Sequence, residues 1–367
     1  MSIQLSGLGT AVPDNTIDQT EALELAHAVL QPDADKARLL KPLYRRSGVK
    51  NRHICVPSQT ALDWIDEYPA ESNNGGAASL GGTTRTRMQL YEEHAPQLAL
   101  AASTAALQQS DFAPESISHV VTVSCTGFCA PGVDTRLIHE LNLKPYAERI
   151  HVGFMGCHGA INGIRTARAI AAQSESHRVL LCAVELCSLH YCFEWVPDRL
   201  VSNAIFADGA AAAVVADSQS RNSCCEIIAT GSYIFPQTAD AMSWRLGNHG
   251  FEMSLDARVP DLIGTSLKPW VSRWLAKQGL TPQDVAHWAV HPGGPRIVSA
   301  VAEALDLPAT ATESSRAILS QYGNMSSPTV LFILEKLLQE RAEGSCVMIA
   351  FGPGLVAEAT LLRFTAP

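Results

Sequence analysis

One offset organises this chain. FAPESISHVVTV at 112–123 matches LTPQDVAHWAVH at 280–291, with Pro114 on Pro282, Ile117 on Val285 and His119 on His287 (282 − 114 = 168). The same shift lays 179–183 on 347–351 and GCHG on GNMS, so that Cys157 falls on Met325 and Gly156 on Asn324. Three matches at one offset imply duplication, and two halves are expected over residues 1–220 and 221–367. Halves related by a pseudo-twofold bring equivalent helix starts toward each other. Cys157 and Asn324 then meet, although 324 − 157 = 167 residues separate them.

Within each half, strand-like runs alternate with helical periodicity, which gives an α/β fold. HVVTVSC (119–125), RVLLCAVE (178–185), AAAVVA (211–216), HWAVH (287–291) and CVMIAF (346–351) read as buried strands. Segments 97–109, 160–173, 296–305 and 329–340 read as helices. The stretch from Pro57 to Thr86, rich in Asn and Gly, shows little periodicity and reads as a long surface excursion.

A formal net charge of −9 argues against general nucleic-acid binding and makes any local basic cluster conspicuous. The opening MSIQLSGLGTAVPDN lacks the basic and apolar regions of a signal peptide, and no run is long enough to span a bilayer. A cytoplasmic protein with reduced thiols is therefore expected. Neither CTGFC nor CSLHYC among the ten cysteines has the paired spacing of common zinc sites, so no metal is expected.

Three strings carry the chemistry: GFMGCHG (153–159), VHPGGP (290–295) and YGNMSSP (322–328). Cys157 lies between a strand-like segment and a helix of small residues, where unpaired amides and the helix dipole stabilise a thiolate. His291 ends a strand and meets Pro-Gly-Gly-Pro, at the edge where open α/β sheets keep their sites. Asn324, at an expected helix start, has the alternative of being an N-cap, and His287 is the better candidate for a histidine satisfied in the core. Together, the thiol and imidazole can share a proton, giving a thiolate–imidazolium pair. Once sulfur is acylated, His291 and Asn324 can both donate to one enolate oxygen. A malonyl thioester generates that enolate by losing carbon dioxide, so neither metal nor organic cofactor is called for. Between 36 and 52 stand seven Lys/Arg and no acid, a cluster suited either to the phosphates of coenzyme A or to a solvated helix face.

These strings, with GLGTAVPDN, TGFCAPGVD, IFADGAAA and the closing FGPGLVAEATLL, resemble the type III polyketide synthases (the chalcone synthase superfamily) over nearly the whole chain. The resemblance implies a thiolase-like fold, two duplicated halves packed as a five-layer αβαβα core. It implies a cytosolic homodimer in which an acyl-CoA starter loads the cysteine, malonyl-CoA units extend the chain and cyclisation follows in the same cavity. By motif position, Cys157, His291 and Asn324 correspond to the catalytic residues and Phe206 to a gatekeeping aromatic. Arg46 and Arg296 correspond to coenzyme-binding positions. Leu39 and Pro42 stand where the family has further basic contacts, so Lys36, Arg38 or Lys41 is expected to substitute.

Cavity positions depart from the plant pattern. Cys125 and His190 replace threonines, Trp244 replaces a glycine and Met253 a second aromatic. Trp244 should fill space and Met253 free some. The changes resemble a bacterial branch whose members often take fatty acyl starters and make alkylpyrones or alkylresorcinols. Three rivals remain at this level. A ketoacyl synthase III would make one condensation with the same three residue types. A papain-like protease shares the order Cys, His, Asn, but Cys157 lacks its flanking motif. A non-catalytic CoA- or lipid-binding protein would show no selectively reactive cysteine.

Overall fold

The computed structural model describes residues 2–69, 79–217 and 223–364. Its strands in chain order are β1 (Ile3–Ala11), β2 (Thr16–Asp18), β3 (Asn51–His53), β4 (His119–Ser124), β5 (Glu148–Gly153), β6 (Arg178–Leu186) and β7 (Asp208–Asp217). There follow β8 (Cys225–Ile234), β9 (Met242–Gly247), β10 (Gly250–Leu255), β11 (His287–Val290), β12 (Ser345–Gly352) and β13 (Val356–Phe364). Nine of them form one sheet in the order β11-β12-β13-β8-β1-β7-β6-β4-β5. Only two register pairs, Gln4 with Glu226 and Leu5 with Cys225, join β1 to β8 at its centre.

The layers follow from strand alternation. Along β6, Val179, Leu181 and Ala183 enter a central core, whereas Leu180, Cys182 and Val184 enter an outer one. Along β12, Cys346, Met348 and Ala350 face the central core, and Val347, Ile349 and Phe351 a second outer one. Strands covered on both faces read as unbroken apolar runs, which is why these were visible in the sequence. The central layer holds helices Gly159–Ala171 and Thr329–Gln339. Ile161 and Ile164 there are fully buried, each stabilising the fold by roughly 1.5–3 kcal/mol. Helix Thr84–Gln109 covers one outer face, and Val259–Ala276 with Pro295–Ala304 the other, completing αβαβα. The long helix lies directly on β1: a Cβ at Gly7 would sit 2.2 Å from Ala106 O, and one at Gly9 2.4 Å from Ala106 N. Only glycine permits that approach.

The repeat needs one correction. Val120 and Trp288 both face outer cores, as the offset of 168 requires (288 − 120). But Leu180 is the parallel partner of Val120, and Val347 that of Trp288, so the equivalent separation at the next strand is 347 − 180 = 167. A one-residue slip exchanges the faces of a strand. Overlaying 179–183 on 347–351 therefore matches inward residues with outward ones. The corrected separation is also the one between Cys157 and Asn324.

The stretch from Pro57 to Thr86 is not a surface excursion where it is described; residues 70–78 lie outside the described residues. Ser58–Glu67 is a helix, and its Trp64 is buried against Phe193 and beneath the Arg87 guanidinium, 4.9 Å from the ring centroid. Ten residues with one large apolar anchor give too little periodicity to read. Among the described residues, no helix is long and apolar enough to cross a membrane.

Candidate active site

A tight turn sets the cysteine. Gly156 has φ +73°, and a Cβ there would lie 2.4 Å from Pro353 Cδ, just after β12. A short 3-10 turn, Gly156–His158, then runs straight into helix Gly159–Ala171, so Cys157 stands at that helix's start. Its thiol is buried and accepts a hydrogen bond from Ser326 Oγ at 3.5 Å. Ser326 lies equally close to the Cys125 sulfur, also 3.5 Å, and so bridges two thiols.

Asn324 reaches the same place by backbone pairing. Its N–H donates to Ile205 O at 2.8 Å and its carbonyl accepts from Ala207 N at 2.9 Å, setting it beside Phe206. It is not an N-cap: the preceding helix ends at Tyr322 and the next begins at Thr329. Its Oδ1 instead accepts from Ser326 N at 2.8 Å, which leaves the carboxamide NH₂ as the available donor.

His291 follows β11, its N–H donating to Ile349 O of β12 at 2.8 Å. It is 1% exposed, yet neither ring nitrogen has a hydrogen-bond partner among the described residues. Burial, with the charge of nearby His158 adding, pushes the imidazole down to about 3. Burial likewise pushes the Cys157 thiol up to about 12, against the opposing Ser326 bond. Desolvation thus favours a neutral thiol and a neutral imidazole in the resting pocket. A neutral imidazole offers one acceptor for a proton and one N–H donor. His287 sits at the periphery, its Nε2 bonded to Glu343 O at 3.1 Å.

A small cavity of about 30 Å³ adjoins the sulfur, lined by Cys125, Cys157, Phe206, Trp244, Met253 and Ser326 among others. Trp244 lines this cavity and is held by its Nε1–H donating to Cys125 O at 2.7 Å. A larger cavity of about 300 Å³ shares Cys187, Phe206, Trp244 and Met253 with the first. His190 lines only the larger one. Its Nε2 lies 2.7 Å from Thr126 O, and its Nδ1 accepts from Phe251 N at 2.9 Å, so Nε2 carries the proton. Burial pushes this ring down to about 3, and it stacks on Phe251 at 4.3 Å as a neutral wall.

Lys41, Arg46 and Arg296 line neither cavity. All three are exposed, and the turn at Gly48 packs against Pro295, so Arg46 and Arg296 flank one surface contact.

Two residues here escaped the sequence reading. Ser326 carried a signal, lying two places after Asn324. Glu185, fully buried at the end of β6, accepts from Cys125 N at 3.0 Å, Thr126 N at 3.1 Å, Thr126 Oγ at 2.7 Å and Ser327 Oγ at 3.0 Å. Burial raises its carboxyl while those donors pull it back. It ties the Cys125 loop to the Ser326 loop. An acid closing an otherwise apolar strand was its only mark.

The model of the chalcone and stilbene synthase N-terminal domain matches residues 2–219, and that of the C-terminal domain residues 226–366. The chain belongs to the chalcone and stilbene synthase family. A 1,3,6,8-tetrahydroxynaphthalene synthase from Streptomyces peucetius is 33% identical, over 98% of this chain and 93% of that protein. The α-pyrone synthesis polyketide synthase-like Pks18 of Mycobacterium tuberculosis is 30% identical, over 97% and 90%. The crystal structure of PKS-I from the brown alga Ectocarpus siliculosus superposes with a TM-score of 0.90 at 29% identity, covering 99% of this chain and 98% of that one. The protein is thus a type III polyketide synthase, a condensing acyltransferase with the thiolase-like fold. The ketoacyl synthase III alternative is not favoured, since the polyketide family models cover both halves.

Proposed function

We propose that Cys157 takes an acyl group from a CoA starter and that His291 and Asn324 drive decarboxylative extension by malonyl-CoA. The Cys157 proton passes to the free nitrogen of His291 as sulfur attacks the starter carbonyl, and the coenzyme leaves as its thiol. The imidazole N–H and the Asn324 NH₂ then hold the malonyl thioester oxygen. The C–C bond to carboxylate breaks, its electrons form the enolate, and carbon dioxide departs. The enolate carbon attacks the acyl carbonyl, forming a C–C bond and releasing the Cys157 sulfur. No metal or organic cofactor enters these steps. The observation that carries this reading is the contact chain Cys157–Ser326–Asn324, together with a buried His291 that lies near His158, the residue after Cys157, and has no hydrogen-bond partner among the described residues for either ring nitrogen.

Phe206, Trp244 and Met253 border both cavities and separate the sulfur from the larger space, with Cys125 and His190 completing the walls. Ile17, Leu25 and Trp64 line that space, which supports an alkyl starter and an alkylpyrone or alkylresorcinol-type product. With malonyl-CoA and a graded acyl-CoA panel, mass spectrometry should find cyclised tri- or tetraketides; a single ketoester alone would overturn the reading. Trp244→Ala should move the preferred starter to longer chains, by about fourfold in kcat/KM for each extra methylene buried. An unchanged chain-length profile would remove Trp244 from the partition.

All ten cysteines are free thiols, which supports a reducing, cytoplasmic setting. Among the described residues β5 ends the sheet with its outer edge unpaired, and Ile150, Phe154 and Met155 nearby are 37–40% exposed. An unpaired edge beside apolar side chains supports a homodimer through β5. Light scattering should give twice the 39.3 kDa chain mass, and Ile150→Lys should shift it to monomer. A monomeric parent would reject this interface.

A further inference from the structure

The basic cluster lies mainly on helix Ala34–Arg46, and its arrangement differs from a phosphate grip. Leu40 and Tyr44 bury the inner face, and the Asp33 side chain caps the start by accepting from Asp35 N and Lys36 N. Outward, the helix and its neighbour Gln19–Leu30 form a groove holding His27, Arg38, Lys41, Arg45 and Arg46 and no carboxylate. Leu23 and Pro42 give it apolar surface. Among the described residues, no carboxylate pairs with Lys41, Arg45 or Arg46. Arg38 meets only Asp35, at 3.5 Å with both side chains at least 80% exposed, a pair of little strength.

Beside this row stands Leu39, 63% exposed and among the most exposed large apolar residues described. Leu39 and Pro42 occupy positions where the family resemblance expects bases for coenzyme phosphates. Here the positive charge has moved round the helix to 38, 41 and 45, one face at helical spacing. A leucine contributes nothing to a phosphate. An exposed apolar side chain among arginines instead matches the apolar, arginine-enriched composition of a protein-binding surface. In a chain of net charge −9, unpaired bases on one face select a partner of opposite sign.

We propose that helix Ala34–Arg46 docks an acidic carrier protein that delivers the acyl starter on a phosphopantetheine arm, with Leu39 as the apolar anchor and Arg38 and Arg45 as its charged flank. The inference rests on the condensing-enzyme reading of Cys157. Phosphopantetheine is the arm that coenzyme A and carrier proteins share, so the chemistry at sulfur is unchanged. The Cys157 sulfur forms a bond to the acyl carbon, the pantetheine sulfur loses its own, and the thiol proton moves to the departing pantetheine. The docking helix also adjoins an element that follows the His291 loop. Arg46 ends the docking helix, and two residues later Gly48 packs on Pro295, the first residue of helix Pro295–Ala304, which follows the loop that starts at His291.

The test compares decanoyl thioesters carried by an acidic holo acyl carrier protein and by coenzyme A as donors to the full chain. Acylation of Cys157 is read by intact mass without malonyl-CoA, so loading is scored apart from extension. Carrier-donated loading should weaken with rising salt and fall roughly tenfold or more in Arg45→Glu and in Leu39→Asp. CoA-donated loading in those variants should stay within about threefold of the parent. Equal losses from both donors would assign the ridge to the coenzyme and overturn the proposal. So would a parent that loads from CoA but not from the carrier, or variants that load from the carrier as the parent does. Carrier-dependent loading with no extension after malonyl-CoA is added would leave the docking surface standing and sink the polyketide reading.

Discussion

Cys157→Ala should abolish acyl loading and lower polyketide formation on the order of 10⁴-fold or more, since no other group replaces a covalent nucleophile. The fold should survive. The Cys157 sulfur accepts a hydrogen bond from Ser326, and deleting it from the buried site costs about 1 kcal/mol. That corresponds to a fall in Tm of about 2 °C. Decarboxylation of malonyl-CoA should continue in this variant, because His291 and Asn324, the proposed oxyanion donors, remain. Intact-mass spectrometry after incubation with an acyl-CoA checks loading, and thermal unfolding checks the fold. A variant that still carried the acyl group would show that one of the neighbouring thiols, Cys125 or Cys187, is the nucleophile.

His291→Ala and Asn324→Ala should each slow malonyl-CoA decarboxylation roughly 10²–10³-fold, the loss of about 3–4 kcal/mol that one preorganised donor supplies. Their effects on stability should differ. Among the described residues neither nitrogen of the buried His291 has a partner, so its removal orphans none of their polar groups and relieves a desolvated ring. Removing Asn324 strands the Ser326 N–H that its Oδ1 accepts, which costs about 1–3 kcal/mol. Asn324→Asp keeps that acceptor but loses the donor, so it should recover stability without recovering rate. Release of carbon dioxide from labelled malonyl-CoA is the readout. A parent-like rate in either alanine variant would strip that residue of its role.

What could be read beforehand divides along physical lines. Strands covered on both faces, such as β4, β6 and β12, announce themselves as apolar runs, and the glycine-marked turns at 156, 294 and 323 mark where the chain needs positive φ. Helix Ser58–Glu67 was hidden because a single buried Trp64 makes no period. The slip from 168 to 167 was hidden because register is set by which strand pairs with which, and short matches do not report pairing. Glu185 and Ser326 were not singled out, since their importance lies in contacts with residues up to 169 positions away.

The sequence alone determined which atoms are present: a thiol, an imidazole and a carboxamide at turns, in a duplicated α/β chain. The tertiary structure decided their state. Burial in it favours a neutral thiol and a neutral imidazole, it leaves both His291 nitrogens without a partner among the described residues, it turns the carboxamide by tying its oxygen to Ser326, and it sets Trp244 in the wall of the space beyond. The reason is that desolvation and hydrogen bonding depend on which distant segments enclose a group, and local sequence does not carry that information.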